Sequence, residues 1–294
     1  MRRMPEVIFK AGQSVHGFEV RKITPLQEMG VVACEMEHLK SGARVLHLHA
    51  LDPENLFAVV FPTPPPNSTG LPHILEHAVL SGSRKFPVRD PFFEMCKMSM
   101  ATFINAMTGE DCTYYPVSSN VRQDLFNLAD VYFDAVFHPL LTPEIFKREG
   151  HHLAPADTSH PTGELTINGI VYNEMKGHYS NPEGLLWVEF QHALLPDCVY
   201  GRDSGGDPDR IPDLTYEAFR EFHRTYYHPS NALFVLYGDI PAADYLKFLE
   251  GRLNEFDRRD IRPVIDRPSP WESPRRVEKT CSAGADESVS EKTY

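Results

Sequence analysis

The pentapeptide His73-Ile74-Leu75-Glu76-His77 holds the residue types of a metal-assisted hydrolysis. On a helix, positions i and i+4 lie on one face about one turn apart, so both imidazoles can reach a single cation. Glu76, three residues after His73, lies beside the same face and can take a proton from an attacking water. The order is the reverse of HExxH, which presents the same groups from a helix. A surface helix with incidental histidines would spell the same five residues. A catalytic zinc usually takes three protein ligands and leaves one position open, so the spacing calls for one more. Glu94, Glu110, Asp111, Glu144, Glu149, Glu174 and Glu183 are the downstream candidates. Glu174 stands out, on a predicted helix with mostly apolar residues before it in Gly169-Ile170-Val171-Tyr172-Asn173-Glu174. A carboxylate entering an apolar face needs a partner, and a metal would be one. A helix-surface glutamate is the other reading of that position.

The elements that must hold these residues follow from periodicity. Residues 17–61 read mostly as strands, with 29–37 and 43–51 joined by a turn at 39–42 and a further strand at 56–61. Residues 71–81 read as a helix, with Pro72 in the first turn and Ser68 and Thr69 as candidate caps. Helices are predicted over 91–101, 121–137, 142–151, 168–178, 183–195 and 215–227, and strands over 102–106, 113–117 and 231–238. Strands come first, then helices with interspersed strands, which favours an α+β layer over a βαβ repeat. Residues 257–274 turn charged and proline-rich and read as a linker. This divides the chain into a domain over 1–256, the linker, and over 275–294 the opening of a second, truncated domain.

Composition bounds the function. The 294 residues are 41% hydrophobic and 24% charged, enough for a sizeable core and unlike a disordered chain. The net charge of −12 offers no excess of cations to neutralise phosphates, which argues against a nucleic-acid partner. No apolar run is long enough for a transmembrane helix, and the N-terminus lacks the apolar core of a secretory signal. The five cysteines are odd in number and never form CxxC, so neither a disulfide framework nor a cysteine zinc site is expected. A reducing compartment, a bacterial cytosol or an organelle matrix, fits this usage.

Several stretches together resemble the pitrilysin/insulysin family of inverzincin metalloendopeptidases, in its presequence-protease branch. They are Ser68-Thr69-Gly70-Leu71-Pro72 running into the pentapeptide, Arg89-Asp90-Pro91-Phe92-Phe93, Thr102-Phe103-Ile104-Asn105-Ala106-Met107-Thr108, Val171-Tyr172-Asn173-Glu174-Met175-Lys176-Gly177, Ser204-Gly205-Gly206-Asp207-Pro208 and His228-Pro229-Ser230-Asn231-Ala232. The similarity runs in order through roughly 45–240. It implies a mixed, mainly antiparallel sheet packed against helices, the metallohydrolase fold of mitochondrial processing peptidase. It implies one Zn2+ per chain, with His73, His77 and Glu174 as ligands and Glu76 as general base. Imidazole and carboxylate donors also suit cobalt or manganese. The resemblance assigns Asn105 and Ala106 to an edge strand that takes the substrate peptide as an added strand. It implies short or unfolded peptides as substrates, cleaved presequences among them. Family members are much longer, and a C-terminal half absent here supplies an Arg and a Tyr to the substrate carbonyl. The activity of this chain alone is therefore open, and a non-catalytic peptide-binding or assembly module of the same fold is the alternative.

Other features carry less. His47 and His49 share one strand face and read as the polar side of a half-buried strand. His151 and His152 read as helix-surface residues. Gly201 to Gly206 has no phosphate-loop pattern, and nothing places Cys96 or Cys112 beside a base. Phe219, Phe222, Tyr226 and Tyr227 read as core, as do Trp187 and Phe190.

Overall fold

The computed structural model describes residues 3–157, 159, 162–278 and 280. Five strands come first: β1 (Ser14–Val15), β2 (Phe18–Leu26), β3 (Val31–His38), β4 (Arg44–Ala50) and β5 (Asn55–Pro62). Helices α1 (Leu71–Val79) and α2 (Pro91–Met98) follow, then β6 (Phe103–Ile104), β7 (Met107–Thr108) and β8 (Cys112–Ser119). Next come α3 (Arg122–Phe137), α4 (Pro143–Glu149), the hairpin β9 (His152–Pro155) and β10 (Leu165–Asn168), α5 (Ile170–Ser180) and α6 (Pro182–Leu194). The chain then adds α7 (Tyr216–Tyr226), β11 (Leu233–Gly238) and α8 (Ala242–Leu253). Proline opens α1, α2, α4 and α6, where the first turn lacks a use for the missing N–H.

The main sheet has the order β1-β2-β3-β4-β11-β5-β8-β6, with β7 also on β8. Only the β4–β11 pair is parallel among these ladders; the rest are antiparallel. The mixed, mainly antiparallel α+β architecture is thus the one the sequence predicts. Strand alternation sets the core. Phe57, Val59 and Phe61 on β5 and Phe234 and Leu236 on β11 are all buried, facing one way. Over them lies α3, whose Leu125, Leu128, Ala129, Tyr132, Phe133 and Val136 are buried at helical spacing. The Phe234 ring stacks on Phe133 at 6.2 Å and meets Phe57 at 5.9 Å.

The structure corrects several expectations. Helix α8 has no predicted counterpart, although Ala242, Tyr245, Leu246, Leu249 and Leu253 are buried at helical spacing. It opens on Pro241 without a side-chain cap and runs straight into the charged segment, so no start or stop signal frames it. The β9–β10 hairpin is likewise unpredicted. His151 follows α4 and contacts the Leu214 carbonyl at 3.0 Å, and His152 opens β9, so neither is on a helix. His47 is 1% exposed and lies against Tyr245 of α8, so its strand face is the core face and not a polar one. Trp187 and Phe190 are 60% and 44% exposed, because among the described residues no element covers that side of α6. Residues 257–274 form no helix or strand, and Trp271 Nε1 donates to the Leu194 carbonyl at 3.1 Å. The second-domain opening expected over 275–294 lies largely outside the described residues.

Candidate metal centre

Helix α1 starts at Gly70, whose φ of 67° is left-handed. Neither expected cap serves: the Ser68 hydroxyl accepts the Asp203 N–H, and the Thr69 hydroxyl donates to Asn67 Oδ1. Glycine is required at 70 for contact as well as conformation. A Cβ there would lie 2.7 Å from the Gly205 carbonyl oxygen and 2.9 Å from the Gly206 Cα. Gly70→Ala is therefore expected to cost roughly 2 kcal/mol or more. Urea unfolding of the metal-free chain checks this; a wild-type midpoint would contradict it.

The same loop reaches the first histidine. His73 Nδ1 lies 3.1 Å from the Gly205 carbonyl oxygen. A carbonyl only accepts, so Nδ1 carries the proton and Nε2 keeps its lone pair. The loop is itself held: Asp203 Oδ1 accepts the N–H groups of Gly205 and Gly206, and Oδ2 accepts the Tyr179 hydroxyl of α5. On the next turn of α1, His77 Nδ1 faces Glu149 Oε2 at 3.4 Å. Burial pushes the His77 pKa down, but the Glu149, Glu76 and Glu174 carboxylates outweigh it and raise it above the ordinary histidine value. Burial likewise pushes Glu149 up, yet His77 and Arg148 hold it below the ordinary carboxylate value.

Both Nε2 atoms converge on Glu174 of α5. His73 Nε2 is 3.7 Å from Glu174 Oε1, and His77 Nε2 is 3.8 Å from Glu174 Oε2. These separations are too long for hydrogen bonds. They are near the roughly 3.4 Å that neighbouring ligand atoms keep around a tetrahedral ion with bonds of about 2.1 Å. Among the described residues, His73, His77 and Glu174 form the one group of three such side chains whose donor atoms all lie within 4.8 Å. Two imidazoles with their far nitrogens anchored, plus one carboxylate, are a donor set that fits zinc. Glu174 is 54% exposed, so the desolvation argument that singled it out does not hold; it is brought to the site by the docking of α5.

Glu76 is only 7% exposed, and its Oε2 accepts the Thr108 hydroxyl of β7 at 2.7 Å. This places the edge of the sheet beside α1. Asn105 and Ala106 link β6 to β7 on that edge. The Asn105 N–H donates to the Pro116 carbonyl at 3.2 Å, its carbonyl accepts the Tyr132 hydroxyl at 3.0 Å, and its Oδ1 accepts the Ala106 N–H. Of the other carboxylates considered, Glu94 pairs with Lys97 and Asp111 takes the Tyr200 hydroxyl, and neither joins the histidine group. Thr108, Glu149 and the Gly205 carbonyl are contributors that spacing does not disclose, since each meets α1 only through the tertiary fold.

A mixed sheet, a helix presenting HxxEH and a carboxylate from a later helix define a peptidase class, and the chain belongs to the M16 peptidase family. The insulinase (peptidase family M16) model matches residues 63–159, and the peptidase M16 inactive-domain model matches 213–287. The mitochondrial presequence protease of Eremothecium gossypii is 44% identical over 281 residues, 96% of this chain and 28% of the relative. The protein HypA of Clostridium perfringens is 44% identical over 289 residues, 97% of this chain and 29% of that protein. The chain thus spans less than a third of the length of these relatives. In fold, it is similar to crystalline pitrilysin, with a TM-score of 0.63 at 22% identity over 85% of this chain and 25% of that one. A protease from Helicobacter pylori gives 0.61 at 18% identity, covering 78% of this chain and 52% of that one.

Proposed function

We propose that this chain is the metal-bearing part of a zinc metalloendopeptidase that hydrolyses short or unfolded peptides, cleaved presequences among them. The observation that carries the reading is the convergence of His73, His77 and Glu174 beside the buried carboxylate of Glu76. One Zn2+ held by those three side chains would polarise a peptide carbonyl and make a nearby water more acidic. The protein's own part is proton movement and placement. Thr108 occupies Glu76 Oε2 and leaves Oε1 to take the proton of the attacking water. Glu76 then returns that proton to the leaving amine. The sheet edge at Asn105 and Ala106 would align the peptide as an added strand once the peptide displaces Asn105 Oδ1 from the Ala106 N–H.

The relatives' greater length supports a further portion that completes the site with groups able to bind and polarise the substrate carbonyl. Such donors are worth orders of magnitude in rate. Relatives named as mitochondrial support an organelle matrix as the working compartment, with a bacterial cytosol as the other setting. Among the described residues, no helix is long and apolar enough to cross a membrane.

The test is cleavage of an unstructured fluorogenic peptide with and without a chelator, beside metal analysis of the wild type and His77→Ala. One zinc per wild-type chain, a loss of at least an order of magnitude in affinity in the variant and chelator-sensitive cleavage are expected. A wild type that takes up no metal would overturn the reading. Metal and peptide binding without any cleavage would favour the non-catalytic module.

A further inference from the structure

Glu149 is a carboxylate that the hydrolytic reading leaves without a task. It ends α4, its side chain is 5% exposed, and it faces the core side of α1. A buried carboxylate is held in place by its donors, and here they are divided between its two oxygens. Oε1 accepts Arg148 Nε at 2.8 Å and the Ser81 hydroxyl at 3.3 Å. Oε2 is left to face His77 Nδ1 at 3.4 Å. Arg148 is tied in turn, its terminal nitrogen 3.0 Å from Asp90 Oδ1 at the head of α2.

We infer that Glu149 is a positioning residue of the metal centre, fixing the ring of His77 and the nitrogen it presents, braced by its α4 neighbour Arg148 and through it by Asp90 at the head of α2. The inference rests on the metal reading given above. An Nδ1–H directed at a carboxylate leaves Nε2 as the donor atom on the side where Glu174 lies, and it makes the imidazole more basic toward a cation. The same requirement at His73 is met by the Gly205 carbonyl, which is neutral and belongs to a loop. The two histidines are therefore braced unequally: His77 by a charged group on a helix, His73 by a backbone oxygen. The bracing partner of His77 can be removed by mutation and that of His73 cannot, which makes the inference testable at one side chain.

The experiment is a zinc titration of the 294-residue chain against a chromophoric chelator, for wild type, Glu149→Gln and Glu149→Ala. The visible absorption of the cobalt-loaded proteins and the melting temperature of each metal-free protein are recorded alongside. Glu149→Ala is expected to weaken zinc binding 10- to 100-fold. Glu149→Gln keeps an acceptor oxygen of nearly the same shape without the charge, and is expected to recover part of that loss. The cobalt absorption should shift in both. A role confined to packing would instead lower the metal-free melting temperature of Glu149→Ala and be fully rescued in affinity by Glu149→Gln, which would overturn the inference. Affinities within twofold of wild type and unchanged cobalt spectra in both variants would overturn it as well. If Glu149→Ala does not fold, Glu149→Gln decides by the same two readouts. A wild type that binds no zinc would sink the metal reading itself, whereas wild-type binding with indifferent variants would sink only the role of Glu149.

Discussion

Glu76→Gln should leave one zinc per chain in place and lower peptide hydrolysis by roughly 10²- to 10⁴-fold. Glutamine fills the same volume and can still meet the Thr108 hydroxyl through its carbonyl oxygen, so α1 and its two histidines have no reason to move. What is lost is an anionic oxygen able to accept a proton. Metal content, peptide affinity and turnover measured on the same preparation separate these effects. Unchanged metal and peptide binding with lost turnover is the expected pattern. Equal turnover in wild type and variant would remove Glu76 from the chemistry. A simultaneous loss of zinc would mean that Glu76 acts through the ligands and not on the substrate.

The second large effect concerns stability toward acid. His47 is buried and His223 half-buried, with desolvation lowering their pKa to about 3 and about 4 from an ordinary 6.5. His228, buried and accepting the Ser230 N–H at its Nδ1, is also lowered by burial to about 4. The unfolded chain protonates these rings near pH 6.5, while the folded chain holds them neutral. Their contribution to stability is complete above about pH 6.5 and is lost as pH falls toward the folded values. For His223 the shift corresponds to roughly 3 kcal/mol over that window. Carboxylates held low by cations, such as Asp130 between Lys85 and Arg252, lose their contribution only at still lower pH. Urea midpoints at pH 7.5 and 4.5 should differ markedly. His47→Leu should narrow the difference without loss at pH 7.5, because neither His47 nitrogen has a hydrogen-bond partner among the described residues. Identical midpoints at the two pH values would contradict this account.

The site was more legible than its physical setting. The HxxEH spacing announces its own geometry, since the helix period alone puts His73 and His77 on one face. Glu174 was reached by a desolvation argument that its exposure contradicts, and the resemblance to the peptidase family carried it instead. Glu149 stood among seven candidate ligands, and only the packing of α4 against α1 shows that it faces His77 Nδ1, away from the Nε2 that meets Glu174. Strand alternation correctly put His47 and His49 on one face, but a period of two cannot say which face α8 will cover. Trp187 and Phe190 fail in the opposite direction. Helical spacing identifies an apolar stripe and does not supply the partner that would bury it.

The position of β11 sets an order on how the molecule is made. Strands β4 and β5 are consecutive in sequence yet do not touch along a ladder, because β11 lies between them. The pairing joins His49 to Gly238, 189 residues later. A ribosome adding about 5–20 residues per second needs roughly ten to forty seconds to deliver that strand after β4 has emerged. Until then the sheet exists as two unjoined pieces with bare inner edges, each a template for wrong pairing. The helix that carries His73 and His77 is synthesised early, but the platform beneath it closes late. A nascent chain of this kind has a long interval in which a chaperone that shields strand edges would raise its yield.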